Sequence, residues 1–278
     1  MATAVPWWLR GIVSLDRGFS KAQALEALVR DELAWGLTPP EARAAVTAAL
    51  YAAQGTYAPR GALYARGLFP WEEELLALDA FAPPGALLLG GAGGGRELGP
   101  LRARGWTVRA FEPCEALCAR AREACEGDPG ARVERGAYDD LVRFQRQGDG
   151  PLRGLLEGSP FDAVVLGWGS LSHVCERDAR VALLRAARGV CPRGPVLLSF
   201  LPRTAEAAEG RSVRWLRGAC RALGAPSERA PGGTFLWNAG FAVRLSVEDV
   251  RAEAREAGYR VLRAGLSPYG HAALTPEP

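Results

Sequence analysis

The sequence predicts an α/β fold: a seven-stranded, mostly parallel sheet with an antiparallel last strand, helices on both faces, and a helical extension at the N-terminus. Three observations predict it. A short apolar run, Ala86–Leu89, breaks into Gly90, Gly91, Gly93, Gly94 and Gly95 and then turns into a helical pattern with Leu98 and Leu101 inward. Downstream, apolar runs of strand length alternate with amphipathic stretches of helix length. The chain closes with Tyr259–Leu266, a turn at Ser267–Pro268–Tyr269–Gly270, and His271–Leu274, which return as an antiparallel pair.

The glycine loop is where the sequence first speaks of chemistry. Glycines permit positive φ and close backbone approach to a ligand, and the following helix offers unpaired N–H groups. A dinucleotide fingerprint needs glycines at its first, third and sixth positions. Counted from Gly91 the sixth position is Arg96, so that pattern fails. The spacing that fits is G-x-G-x-G, at Gly91, Gly93 and Gly95. The next strand, Trp106–Phe111, ends in Glu112, a carboxylate placed to accept two hydrogen bonds from a ribose diol. An acid before Pro113 also suits the start of a helix, and both nucleoside classes place an acid here.

Residues 1–55 read as the helical extension. Lys21–Trp35 carries Ala24, Leu25, Leu28, Val29 and Leu33 on one face; Gly36 and Pro39–Pro40 stop it. Pro40–Ala53 is a second helix with Val46, Ala49 and Leu50 inward. Residues 56–278 form the main domain. Its first stretch, 56–76, interleaves Tyr57, Arg60, Tyr64, Arg66, Phe69 and Trp71, and reads as a lid over the site or as an irregular packing segment. Pro70 opens a helix there, with Glu72–Glu74 in its first turn.

After Glu112, Pro113–Cys125 is helical and Arg132–Glu134 is a short strand followed by Tyr138–Asp139–Asp140. A loop acid here can bond an adenine amino group beneath a neighbouring ring, and either Asp can instead cap the next helix. The strand Phe161–Leu166 runs into Gly167, Trp168, Ser170 and His173, which fall at the carboxyl ends of the strands where ligands of such sheets lie. The helix Arg177–Gly189 leads to the strand Pro195–Phe200. Residues 201–245 read as a substrate-side insertion holding a helix at Arg211–Leu223 and the aromatics Phe235, Trp237 and Phe241. Ser246, with Asp249 three residues on, opens the helix that ends at Gly258.

Composition narrows the classes. The 34 basic and 31 acidic residues leave a net charge of +3, too balanced for a nucleic-acid or membrane surface. The six cysteines form no C-x-x-C and there are two histidines, so metal spacing is absent. No apolar run of membrane length and no signal-peptide core occurs, and the expectation is a cytoplasmic protein with reduced thiols.

Taken in order, GLFPWEEELL, LLLGGAGGGREL, AFEP, GAYDDL, DAVVLGWGSLSHV, GPVLLSF and SPYGHA resemble class I S-adenosylmethionine (SAM) methyltransferases of Rossmann-like fold. The resemblance is strongest to a bacterial small-molecule group with GAGGGRE, GWG and a terminal PYGHA. It implies methyl transfer from SAM to a small-molecule acceptor by direct displacement, without nucleic acid or membrane as partner. It further implies that Gly91, Ala92, Gly93, Gly95 and Gly167 line the cofactor, with Glu112 at the ribose and Asp139 and Tyr138 at the adenine. Tyr57, Tyr64, Trp71, Trp168, Ser170 and Tyr269 are the expected acceptor contacts. His173 and His271 are the two imidazoles, each read either as a catalytic group that orients or deprotonates the acceptor or as a buried structural residue. One departure stands out: the family commonly has an acid ending the first strand, and here that position is Leu89. That departure supports a second class, a SAM or S-adenosylhomocysteine binder without catalysis, acting as sensor or partner subunit. An NAD-dependent oxidoreductase is disfavoured by the loop spacing and by the antiparallel closing strands.

Overall fold

The computed structural model describes residues 7–54, 62–158, 160–203 and 229–277, with isolated positions between 215 and 222. Tyr57, and most of the helix expected at Arg211–Leu223, lie outside the described residues. The chain divides into two compact units, Met1–Ala42 with Glu206–Arg229 and Arg43–Ala205 with Ala230–Pro278.

In the first unit, α1 (Trp7–Leu37) runs through Gly36 and ends before Pro39–Pro40, where the backbone N–H supply fails. The face expected to be inward is not fully covered. Leu25 and Leu33 are exposed and line a shallow apolar groove with Val29 and Leu37. Arg229 pairs with both Asp31 and Glu32 of this helix. Of α2 (Pro40–Ala53), the residues from Arg43 onward belong to the second unit.

The second unit is built on a sheet whose parallel part runs β3 (Ala131–Arg135), β2 (Thr107–Glu112), β1 (Ala86–Gly90), β4 (Ala163–Leu166) and β5 (Val196–Pro202). Leu87, Leu88 and Leu89 are wholly buried, as befits a central parallel strand covered on both faces. The helices α5 (Leu98–Ala103), α6 (Glu115–Ala124), α7 (Tyr138–Gln147) and α9 (Arg177–Val190), with the short turns α3 (Ala62–Ala65) and α8 (Arg153–Leu156), lie along its connections. After β5 come α10 (Val247–Glu256), β8 (Tyr259–Gly265) and β9 (Gly270–Pro276), with β9 antiparallel to both β5 and β8. The expected cap on α10 is present: Ser246 Oγ accepts the Asp249 N–H at 3.1 Å and the Asp249 carboxylate accepts the Ser246 N–H at 2.8 Å.

Among the described residues the sheet has nine strands where seven were expected, because part of the insertion forms a hairpin, β6 (Gly233–Leu236) and β7 (Gly240–Leu245). β7 pairs in parallel with the last two residues of β5, while the first five pair with β9, so the sheet forks at β5. Pro231–Gly232–Gly233 reads as a turn in sequence, and that signal masked the short strand starting at Gly233. Of the two readings of 56–76, a lid or a packing segment, Leu68–Leu75 fits the second: Leu68, Phe69, Trp71 and Leu75 are buried, the last three in one cluster with Leu87, Leu89, Leu98 and Trp106. They sit on and around α4 (Pro70–Leu76), packed on the sheet as a fixed element.

Candidate functional site

The glycine loop is drawn onto Glu112. The N–H groups of Gly91 and Ala92 both donate to the Phe111 carbonyl, at 2.9 and 3.1 Å. The Gly93 N–H donates to Glu112 Oε2 at 2.8 Å, and the Cys114 N–H donates to Oε1 at 2.9 Å. Gly91, Gly93 and Gly95 have φ of +69°, +55° and +91°, which only glycine adopts without strain. A Cβ at Gly91 would press on Ser170 and Tyr138, and one at Gly95 on Ala121, whereas one at Gly93 meets nothing. The loop therefore opens at Gly93, directly beside Glu112. A carboxylate has about four acceptor sites, and Glu112 uses two on backbone. Burial pushes its carboxyl up to about 7, against the pull of the two backbone N–H groups, with Glu97 nearby adding to the rise.

A buried ion cluster, which the sequence reading did not single out, fixes the far side of the loop. Arg96 makes a two-pronged pair with Glu72 of α4, at 2.6 and 2.7 Å, and donates to Glu97 at 2.5 Å and to the Gly67 carbonyl at 2.6 Å. Its guanidinium lies 4.3 Å from the Phe69 ring centre. Glu72 also accepts the Phe69 N–H at 2.7 Å, which caps α4. All three charged residues are buried. Burial lowers the Arg96 guanidinium, but the carboxylates of Glu97 and Glu72 outweigh it and hold it above its ordinary value. Glu97 is raised by burial, opposed by Arg96 and reinforced by Glu72. Glu72–Glu74 looked like a dipole-suited first turn; the signal for the pair was a lone Arg directly after the loop glycines.

Behind the loop, Gly167 donates its N–H to the Gly90 carbonyl at 2.7 Å, and a Cβ there would stand 2.2 Å from the Gly91 carbonyl oxygen. Only glycine fits between β4 and the loop. Tyr138 and Ser170 share two hydroxyl protons among three contacts: to each other at 2.5 Å, to the Gly90 carbonyl at 3.0 Å and to the Gly167 carbonyl at 2.7 Å. The Tyr138 ring stands edge-on to Phe111 at 5.6 Å, so its hydroxyl end braces β1 and β4 and its ring is half-buried. Asp140 takes the cap of α7 by accepting the Ala137 N–H at 2.9 Å, and Asp139 is exposed beside it. Leu89 stays wholly buried in β1, so no acid ends that strand.

An aromatic chain runs along the same edge. Trp168 meets Phe69 at 5.0 Å and Tyr269 at 5.5 Å, both at steep angles; Phe69 is followed by Trp71 at 6.2 Å, and Trp71 stacks on His271 at 5.2 Å. His271 donates from Nδ1 to the Tyr269 carbonyl at 2.7 Å, and its Nε2 faces Gly265, where a Cβ would come within 2.8 Å. Tyr64 is half-buried on α3.

The second half of α2 reaches this edge at two places. Cys114 Sγ, two residues past Glu112, lies 3.5 Å from the Ala48 carbonyl, and Thr47 Oγ1 accepts the Phe241 N–H at 3.1 Å. Tyr51 completes the contact, its hydroxyl 2.9 Å from His173 Nε2. The other nitrogen, Nδ1, is 2.8 Å from the Phe241 carbonyl. A carbonyl can only accept, so Nδ1 carries the proton and Nε2 accepts from Tyr51. Burial holds His173 below its ordinary pKa, with the Phe241 bond opposing, so the ring is neutral at pH 7. Tyr51 was not a candidate in sequence, since its helix is far from the glycine loop in the chain.

No family model and no curated protein sequence matches the chain. Solved structures do. The chain is similar to Burkholderia thailandensis 1,6-didemethyltoxoflavin-N1-methyltransferase, with TM-score 0.60 and 16% identity over 87% of this chain and 92% of that one; that structure has 1,6-didemethyltoxoflavin and S-adenosylhomocysteine bound. It is also similar to magnesium protoporphyrin IX methyltransferase from Synechocystis PCC 6803 with bound SAM, with TM-score 0.52 and 15% identity over 84% and 95%. The CcbJ methyltransferase from Streptomyces caelestis matches with TM-score 0.52 and 16% identity over 89% and 100%. The fold is the methyltransferase fold. On its carboxyl edge stand the Gly91–Gly95 loop, Glu112 and the post-β4 residues 167–173. Among the described residues no cluster of three or more His, Cys, Asp or Glu could hold a metal, and no helix is long and apolar enough to cross a membrane.

Proposed function

We propose that the protein is a SAM-dependent methyltransferase acting on a small molecule. The observation that carries this reading is the Gly93–Glu112 arrangement: a glycine loop open at one point, tied to a buried carboxylate that keeps acceptor sites for a ribose diol. The structures it resembles bind SAM or S-adenosylhomocysteine, and the residues here fit the same group. Gly91, Ala92, Gly93 and Gly95 give the nucleoside tail a surface with no side chain larger than a methyl, Glu112 holds the ribose, and Asp139, free of the α7 cap, takes the adenine amino group. When bound, the cofactor supplies an electrophilic sulfonium methyl. This chain's residues then align the acceptor and exclude water. Where the acceptor must lose a proton, Tyr51 accepts it on its hydroxyl oxygen as its own proton passes to His173 Nε2, which is neutral and unprotonated there. His271, wedged between Trp71 and Gly265, orients the aromatic wall.

The test of the reading is transfer of labelled methyl from SAM to a panel of small planar or partly apolar acceptors. His173→Ala and Tyr51→Phe each lower kcat by about 10²-fold, and the double variant falls no further than either alone because both act in one relay. Cofactor affinity stays within about twofold of wild type, since His173 and Tyr51 touch neither loop nor Glu112. Full turnover in both single variants would sink the relay.

The pH dependence has a definite sign. The ionised Glu112 is the form that accepts both hydrogen bonds from a ribose diol, and its carboxyl sits at about 7. Affinity for S-adenosylhomocysteine therefore rises as pH rises through 7 and levels above it. Calorimetry at pH 8 and pH 6 should differ by about tenfold, with the weaker binding at pH 6. A flat profile would place the Glu112 titration elsewhere.

Leu89 supports the second reading, a binder without turnover, because a buried leucine at the end of β1 leaves the methionine amino group to loop carbonyls alone. Binding of both SAM and S-adenosylhomocysteine with no methyl transferred to any acceptor would select it.

A further inference from the structure

The fork of the sheet at β5 opens one edge of β7, and two side chains fill it. In a strand, the N–H and C=O of one residue point to the same side, and successive residues alternate. Arg244 donates its N–H to the Gly232 carbonyl on the β6 side at 2.8 Å. Leu245 faces the other way and accepts the N–H of Arg203, just past the end of β5, at 2.8 Å. Counted back from Leu245 by twos, Phe241 also faces the β5 side, away from its β6 partner Phe235. β5 pairs with β7 at Arg244 and Leu245, but from Phe200 back it pairs with β9. Both backbone groups of Phe241 therefore face a side where β5 has already turned away.

Thr47 and His173 stand there instead. Thr47 Oγ1 accepts the Phe241 N–H at 3.1 Å, and His173 Nδ1 donates to the Phe241 carbonyl at 2.8 Å. Gly240 lets α2 approach: a Cβ there would overlap Thr47, 2.7 Å from its Cα. Arg43, Thr47 and Tyr51 are spaced by four and share one face of α2. The Arg43 guanidinium lies 5.7 Å from the centre of the Phe241 ring, and the Tyr51 hydroxyl is 2.9 Å from His173 Nε2. One helix face thus grips Phe241 by ring and N–H, and meets His173 at the nitrogen that Phe241 does not hold.

We infer that Thr47 is a positioning residue for His173. By holding the Phe241 N–H it keeps the Phe241 carbonyl on the Nδ1 proton, and so leaves Nε2 bare toward Tyr51. The inference rests on the methyl-transfer reading above and adds to it the residue that sets the ring's tautomer. In that step the acceptor gives its proton to the Tyr51 oxygen, the Tyr51 proton passes to Nε2, and His173 ends as an imidazolium. A ring protonated at Nε2 instead of Nδ1 would donate to Tyr51 rather than accept, and the step would stop.

The experiment compares Thr47→Val, which keeps the side chain's shape and loses the hydroxyl, with Thr47→Ser, which keeps the hydroxyl. The chain has two histidines, so the ring-nitrogen signals of protein carrying isotope-labelled histidine are assigned with a single His173→Ala control. Wild type should show His173 protonated at Nδ1 and bare at Nε2. Thr47→Val should move these signals toward a mixture of tautomers, and Thr47→Ser should restore the wild-type pattern. With an acceptor that takes labelled methyl from SAM, Thr47→Val should lower kcat roughly tenfold, the worth of one hydrogen bond. Its KM and its affinity for S-adenosylhomocysteine should stay within about twofold of wild type, and Thr47→Ser should recover most of kcat. An unchanged tautomer in Thr47→Val, equal shifts in Thr47→Val and Thr47→Ser, or a loss confined to KM would overturn the inference. Absence of methyl transfer to every acceptor by wild type would instead bring down the methyl-transfer reading and the relay with it, while the tautomer spectra would still decide whether Thr47 sets the His173 ring.

Discussion

Arg96→Ala is expected to cost about 3–5 kcal/mol of folding free energy, because it strands two buried carboxylates that now share one guanidinium. Glu72 and Glu97 lie in the protein interior with Arg96 between them, so solvent screens little of the loss. The same guanidinium also satisfies the Gly67 carbonyl and covers Phe69, and both contacts go with it. Removing the partner of a buried pair is worse than never having had the pair. Urea denaturation should therefore show a midpoint shift large enough to threaten a domain of ordinary stability, about 5–15 kcal/mol. Glu72→Gln combined with Arg96→Met should recover part of the loss, since it removes a stranded charge and refills the volume. A shift worth less than about 1 kcal/mol in Arg96→Ala would show that the cluster is solvated.

Glu112→Ala is expected to cut affinity for S-adenosylhomocysteine by about 100-fold or more. Two charge-assisted hydrogen bonds from a ribose diol carry about 1.5–3 kcal/mol each, and the loop loses its tether besides. The Gly93 and Cys114 N–H groups both lose their acceptor, so the open point of the loop shifts as well as the sugar contact. Folding should survive better than in Arg96→Ala. Burial already makes this carboxylate's charge unfavourable, as its elevated pKa shows, so removing it relieves a desolvation cost. Thermal unfolding of the variant, followed beside its calorimetric titration, separates the two effects. Unchanged affinity in a folded variant would remove Glu112 from the site.

The sheet and its glycine loop were legible because they rest on local patterns. Leu87–Leu89 ends in glycines, Glu112 follows the next strand, and Ser246–Asp249 signals its own helix start. These features need only neighbours in sequence. The site's far walls need neighbours in space. Arg96 meets Glu72 across 24 residues, and Tyr51 meets His173 across 122. Neither residue announces its partner, since a Glu in a first helical turn and a Tyr near a helix end each have a local explanation. The aromatic lid shows the same limit from the other side. Interleaved Phe69 and Trp71 suited a lid and a packing segment alike in sequence, and both are buried where α4 docks on the sheet, with Trp71 stacked on His271. The β6–β7 hairpin was hidden by a Pro–Gly–Gly turn signal, and its pairing to the sheet runs through the last two residues of β5.

The most direct test of the central claim is calorimetric titration of the purified protein with SAM, S-adenosylhomocysteine and NAD. Micromolar binding of the first two, at one site per chain, with none for NAD, is the expected result. Absence of binding for SAM and S-adenosylhomocysteine, or a preference for NAD, would contradict it and leave the Gly93–Glu112 arrangement as a structural brace.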